Sequence, residues 1–239
     1  VRDQYAGDVS DVIKFAFLRA LAGRDRTLGI AWYSAAGHDG RTDGRHLEWR
    51  DEPKWKALDP QLHAGLSALR ERSIAALEGL PIWPKDTVFH REPVPANAAR
   101  NAWAEQMRVT LDSANLLFLD PDNGLGETGV KHATFSEAEM LRRLGRAIVV
   151  ITFPGRSATH EVLVRKLHDR LRSGIGAQEP ITLRTNVSVP RAPGARLYVQ
   201  RQRWFTVIDS DAELTARAHV FAKAIASIPR VTAQLECAP

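Results

Sequence analysis

Residues Ala114 to Gly126 read A-N-L-L-F-L-D-P-D-N-G-L-G. Leu116, Leu117, Phe118 and Leu119 form a short apolar run without alternation, the pattern of a strand buried on both faces of a sheet. The run breaks at Asp120-Pro121-Asp122-Asn123-Gly124. Ligands bind at the C-terminal ends of strands in open parallel sheets, so the break puts two carboxylates and an amide at a candidate site. Pro121 fixes its own φ and biases Asp120 away from helical geometry, which holds the acid on a turn. The same five residues are ordinary turn formers, so the pentapeptide alone leaves a plain turn open.

Working outward, the same step from helix to strand recurs. Residues 96 to 111 read as a helix feeding the central strand, and Arg146 to Phe153, R-A-I-V-V-I-T-F, is the clearest β run in the chain. Ser136 with Glu139 three positions on suggests a capping box between them. Towards the N-terminus, Thr27 to Tyr33 reads as a first strand, preceded by an amphipathic helix that Asp8 or Ser10 could cap. Val12, Ile13, Phe15, Phe17, Leu18 and Leu21 give that helix a broad buried face. Lys14 stands three positions after Asp11, so their side chains can meet; a solvated local ion pair with no function is an equally good reading.

The first strand leads into S-A-A-G-H-D-G-R-T-D-G-R-H, residues 34 to 46. Gly37, Gly40 and Gly44 let this loop approach a ligand closely, although neither a dinucleotide fingerprint nor a phosphate loop is present. His38, Asp39, Asp43 and His46 are proper metal-ligand types in a flexible setting, and equally ordinary loop residues. Residues 45 to 86 form a poorly assigned insert: a helix is expected over about 60–77, and Trp49 and Trp55 either anchor a loop on the core or stack on bases. A short strand at 87–90 ends near Glu92. Helix 158–171 carries Arg165, Lys166, Arg170 and Arg172 on its outer side, a solvated face or a phosphate contact. Strands at 180–189 and 195–208, joined by P-R-A-P-G, and a helix at 212–228 complete the series.

The 239 residues suffice for a single α/β domain, 1–239. The expected fold is a three-layer, Rossmann-like α/β arrangement on a largely parallel sheet with an antiparallel C-terminal strand. The ends at Tyr33, Glu92, Asp120 and Phe153 would then share one edge, and a seventh strand would have to hide between 45 and 86. A formal charge of +5 permits nucleic-acid binding without requiring it. Cys237 is the only cysteine, which excludes a disulfide framework and a thiolate zinc cluster. With a charged start and no apolar run of membrane length, the expectation is a soluble, cytoplasmic protein.

Y-A-G-D-V-S-D-V-I-K-F at 5–15 and F-L-D-P-D-N at 118–123 resemble elements of Rossmann-like S-adenosylmethionine-dependent methyltransferases, in particular bacterial ribosomal-RNA adenine-N6 methyltransferases. That family carries H-A-G-N-x-A-D-V-x-K-H near the N-terminus and D-P-P-Y or D-P-P-F at the catalytic turn. Tyr5-Ala6-Gly7-Asp8 matches H-A-G-N, Asp11-Val12 with Lys14 matches D-V-x-K, and Asp120 to Asn123 matches the catalytic tetrapeptide. The resemblance implies a fold and a reaction: methyl transfer from S-adenosylmethionine to an amine of a nucleic acid or nucleotide-like substrate. It implies Asp120, Asn123 and Lys14 as catalytic candidates, and Tyr5, Gly7, Asp11, Lys14, Gly37, His38, Glu92 and Asp120 around the cofactor. Departures are Asp122 for the second proline, Asn123 for the stacking aromatic and Phe15 for a histidine. Two other readings stand beside it. One is a metal-assisted phosphoesterase or nuclease in which Asp120, Asp122 and Asp39 hold Mg²⁺, with Asp8 or Asp43 as further ligands and His38 or His46 handling a proton. The other is a non-catalytic nucleic-acid-binding module using the basic helix and the tryptophan-rich loop.

Overall fold

The computed structural model describes residues 2–34, 46–155, 158–191 and 195–237. In chain order these form α1 (Val9–Ala22), β1 (Leu28–Trp32), α2 (Pro53–Leu58), α3 (Pro60–Ser67), α4 (Ile74–Glu78), β2 (Val88–His90), α5 (Arg100–Thr110), β3 (Leu116–Asp120), β4 (Gly124–Gly126), β5 (His132–Thr134), α6 (Phe135–Leu141), β6 (Ala147–Thr152), α7 (His160–Ile175), β7 (Ile181–Pro190), β8 (Tyr198–Ile208), α8 (Ala212–Ala226) and β9 (Val231–Cys237).

The main sheet has the order β2-β1-β3-β6-β8-β7-β9, and β4 with β5 forms a separate parallel pair. Pairs β1–β2, β1–β3 and β3–β6 are parallel; β6–β8, β8–β7 and β7–β9 are antiparallel. The sheet is therefore mixed, and the expected largely parallel Rossmann-type sheet with one antiparallel strand is corrected. The physical reason lies after Gly176. Helical crossovers that keep strands parallel give way to a hairpin between β7 and β8, and α8 then returns the chain to pair β9 on β7. The seventh strand is thus residues 231–237, not a segment hidden between 45 and 86.

The insert is helical. The expected helix over 60–77 is two helices, α3 and α4, interrupted around Ala68 to Ser73 where Ser73 caps a new start. Trp49, Trp55, Leu62, Leu66, Leu77 and Ile82 join α1, α8 and one face of the sheet in a single apolar cluster. Burial of both tryptophan rings gives them the anchoring role, away from any base-stacking surface. The opposite face of the sheet packs against α5, α6 and α7. At the start of α6 the capping pair is Thr134 and Glu137, two residues earlier than the expected Ser136 and Glu139: each side chain bonds the other's backbone N–H.

Candidate functional site

Strand alternation sets which face of β3 carries the acid. Leu117 and Leu119 belong to the cluster on the α5 side, whereas Leu116 and Phe118 belong to the cluster on the α1 side. With a period of two, Asp120 points with Phe118 towards α1. There it meets Lys14, whose Nζ lies 2.9 Å from Asp120 Oδ2 and 2.7 Å from Asp11 Oδ1. All three side chains are buried, so Asp11 and Lys14 meet in an internal triad with Asp120 and not as a solvated pair on the helix surface.

The N-terminal segment is built to present this lysine. Asp8 caps α1 by accepting from the Ser10 and Asp11 N–H groups at 2.8 and 3.4 Å. Gly7, at φ +77°, turns its own N–H onto Asp11 Oδ2 at 2.7 Å. Only glycine adopts that backbone angle at little cost, and a Cβ there would stand 2.9 Å from Leu69. Phe15, where the resembled family has histidine, packs edge-on to Trp83 and Trp32 in the core, and the Lys14 ammonium lies 5.8 Å from its ring centre.

Arg203, on β8, completes the cluster and has no signature in the sequence. Its Nε donates to Ser10 Oγ at 3.1 Å, and its guanidinium lies 4.5 Å from the centre of the Phe153 ring. Sheet register explains the placement: Thr152 pairs with Trp204, so Arg203 is the first residue of β8 past the end of β6. Only the strand pairing reveals this neighbour, because nothing in local spacing joins residue 203 to residue 10.

Three aspartates crowd two cations in this cluster, and the electrostatics follow. Burial pushes the Asp11 carboxyl up to about 6; Lys14 opposes the rise, while Asp8 and Asp120 add to it. Burial works against the charged form of Lys14, but Asp11 and Asp120 together outweigh it and hold the ammonium well above its usual range. Burial also lowers Arg203, against the pull of Asp8.

The turn after Asp120 is fixed from below. The Asn123 N–H donates to the Lys131 carbonyl at 2.9 Å, and the Phe153 N–H donates to the Asn123 carbonyl at 3.3 Å. Gly124 has φ +114°, and a Cβ on it would sit 2.4 Å from Thr152 Oγ1. The backbone of the turn therefore lies directly on the end of β6, leaving the Asn123 side chain exposed and Asp122 half-buried.

The structure brings Gly7, Asp11, Lys14 and Asp120 together, with Asn123 at the rim of the same turn. Glu92 is exposed two residues beyond β2, separated from β3 by the width of β1, about 10 Å across two strand spacings. Tyr5 is half-buried in a short turn of 3₁₀ helix, Asp3–Tyr5. Gly37, His38, Asp39, Gly40, Asp43 and Gly44 lie outside the described residues. Among the described residues, no group of three His, Cys, Asp or Glu side chains is arranged to hold a metal ion, and no helix is long and apolar enough to cross a membrane.

On the opposite face a cleft of about 570 Å³ opens between the starts of α5 and α6, lined by Arg100, Asn101, Glu127, Thr128, Ser136 and Glu137 among others. Glu137 accepts from Tyr33 Oη at 3.0 Å and from Arg100 Nε at 2.6 Å. Burial, followed by the charge of Glu137, holds the Tyr33 phenol well above its ordinary range. Arg100 also donates to the carbonyls of Gly129 and His132, so this network ties the exit of β1 to the β4–β5 pair.

No family model and no curated protein matches the chain. Among solved structures it is similar to a Legionella pneumophila protein of the DUF519 family model, at 11% identity and a TM-score of 0.45, over 98% of each chain.

Proposed function

We propose that this chain is an S-adenosylmethionine-dependent methyltransferase acting on an amine of a nucleic acid or nucleotide-like substrate. The observation that carries the reading is the 2.9 Å contact between Lys14 and Asp120, 106 positions apart. It joins the two short segments on which the resemblance to amine methyltransferases rests, at the end of a parallel strand where ligands bind.

The side chains fit the cofactor in part. Glu92 offers an exposed carboxylate, the group suited to a ribose diol, beyond a strand parallel to β1. Lys14, enclosed by two aspartates, holds Asp120 and not a cofactor carboxylate. When bound, S-adenosylmethionine supplies an electrophilic methyl group. The chain's own contribution is positioning: Lys14 and the Gly7 N–H immobilise the acidic pair, and Asp120 accepts a hydrogen bond from the acceptor amine, aiming its lone pair. The Asn123 amide at the rim carries a donor and an acceptor that read the acceptor's edge. Such alignment supplies several kcal/mol, up to roughly 7–11 in the best intramolecular cases.

The metal-dependent hydrolase is the weaker reading, because Asp120, the first of its ligands, is already paired with the Lys14 ammonium at 2.9 Å. A cytoplasmic location belongs to the favoured reading, with a single cysteine in the chain. Transfer of labelled methyl groups from S-adenosylmethionine to an oligonucleotide, abolished by Asp120→Ala, tests the assignment.

A further inference from the structure

β7 and β8 run 10 and 11 residues, about twice the length of β1 and β3. The last pairing of β6 is Thr152 with Trp204, so residues 198–203 of β8 and their partners on β7 project past the edge that carries Asp120; β9 flanks β7 as far as Val187, and beyond it a two-stranded ribbon continues. One face of the ribbon carries Val187, Val189 and Val199, packed on the α1 side, together with Arg201 and Arg203. The other presents Ser188, Gln200 and Tyr198.

Its charge is one-sided. From Ile181 to Arg203 the sequence contains five arginines and no acid. Glu161 and Glu236 meet Arg184 at the base of the ribbon, and no acidic residue stands in register with its outer part. Arg191 and Arg196 are exposed near the tip. Two aromatic rings accompany them, each about two-fifths exposed and each faced by a guanidinium: Tyr198 with Arg230 at 4.1 Å, and Phe153 with Arg203 at 4.5 Å. The second pair is the one that touches the Asp120 site through Ser10.

Basic strands that track a backbone, combined with exposed rings on which bases stack, are the chemistry of single-stranded nucleic-acid binding. We propose that the β7–β8 ribbon binds a single-stranded segment of nucleic acid and leads it to the Asp120 edge, with Phe153 offering the ring face that Asn123 cannot. The inference rests on the proposed methyltransferase reading only for what happens to the strand once it arrives. It moves the nucleic-acid surface away from helix α7, whose exposed Arg165 and Lys166 share the helix with Glu161 and Asp169 and whose Arg170 pairs with Glu127.

The test is fluorescence anisotropy of a labelled single-stranded RNA of about 20 nucleotides, titrated with the full chain at about 50 and 200 mM salt. The expected result is salt-sensitive binding that weakens at least tenfold, roughly, in Arg191→Glu/Arg196→Glu, with a log–log salt slope shallower by about 1.4 for two lost phosphate contacts. Tyr198→Ala should weaken binding roughly fivefold or more through lost stacking, while Arg165→Glu/Lys166→Glu stays near wild type. Circular dichroism verifies that each variant is folded. No binding at low salt, retained affinity in both ribbon variants, loss confined to the helix variant, or equal competition by a polyglutamate peptide would overturn the proposal. A parallel titration with S-adenosylmethionine separates the two claims. Ribbon-dependent RNA binding without cofactor binding removes the methyltransferase reading alone, and cofactor binding without RNA binding removes the ribbon.

Discussion

Lys14 Nζ and Asp120 Oδ2 lie 2.9 Å apart with both side chains almost wholly removed from water. A buried charge pair is costly to assemble and far costlier to break, because removing one member strands the other. Lys14→Ala leaves Asp11 and Asp120 facing each other without a cation, and is expected to destabilise the chain by about 3–5 kcal/mol. Urea denaturation measures this directly; a loss below about 1 kcal/mol, the range of an exposed pair, would mean the triad is open to solvent.

Gly124 and Thr152 make the same edge sensitive to a single methyl group. The φ of +114° at Gly124 and the 2.4 Å approach of its would-be Cβ to Thr152 Oγ1 predict that Gly124→Ala costs about 1–3 kcal/mol or more and displaces the Asp120 turn. Gly155→Ala, whose Cβ meets nothing, is the control and should stay within about 0.5 kcal/mol of wild type. Equal stability of the two variants would show that the turn is not seated on β6.

His168 predicts an acid-sensitive step remote from the site. Its Nε2 lies 2.8 Å from Thr182 Oγ1, which in turn lies 3.0 Å from Thr206 Oγ1, a buried chain linking α7, β7 and β8. Burial, reinforced by Arg172 and opposed by Asp169, pushes the imidazole down to about 4. Between that value and the ordinary 6.5 the unfolded chain binds the proton that the folded one refuses. This group's stabilisation is therefore complete above pH 6.5 and lost as pH falls towards 4, a change on the order of 1–3 kcal/mol. His168→Gln, which keeps a hydrogen-bonding group for Thr182, should flatten the dependence of the urea midpoint on pH over this window. An unchanged slope would assign the acid sensitivity elsewhere.

The local pieces of this architecture were legible from the chain, and the long-range ones only in part. Leu116 to Leu119 and Ala147 to Ile151 announced buried strands because both faces are covered by helices, which removes alternation. The cap at Asp8 and the hairpin of β7 and β8 were readable for the same local reason. The neighbours of β8 and β9 were not, since a strand's composition does not say which strand it joins, and the mixed sheet followed from where these two insert. β9 did carry a signal: Val231, Ala233, Leu235 and Cys237 alternate with polar residues. At the site, the spacing of Asp11 and Lys14 showed that they could meet, but not that Asp120 would close over them. Arg203 was invisible, because its approach to Ser10 depends on a register set across the whole sheet.

The edge holding Lys14 and Asp120 is proposed to serve S-adenosylmethionine chemistry, and calorimetric titration of the purified chain with that cofactor is the direct test. The expected result is saturable, stoichiometric binding in the micromolar range, about −8 kcal/mol. A folded protein that gives no saturable binding up to millimolar S-adenosylmethionine would contradict it.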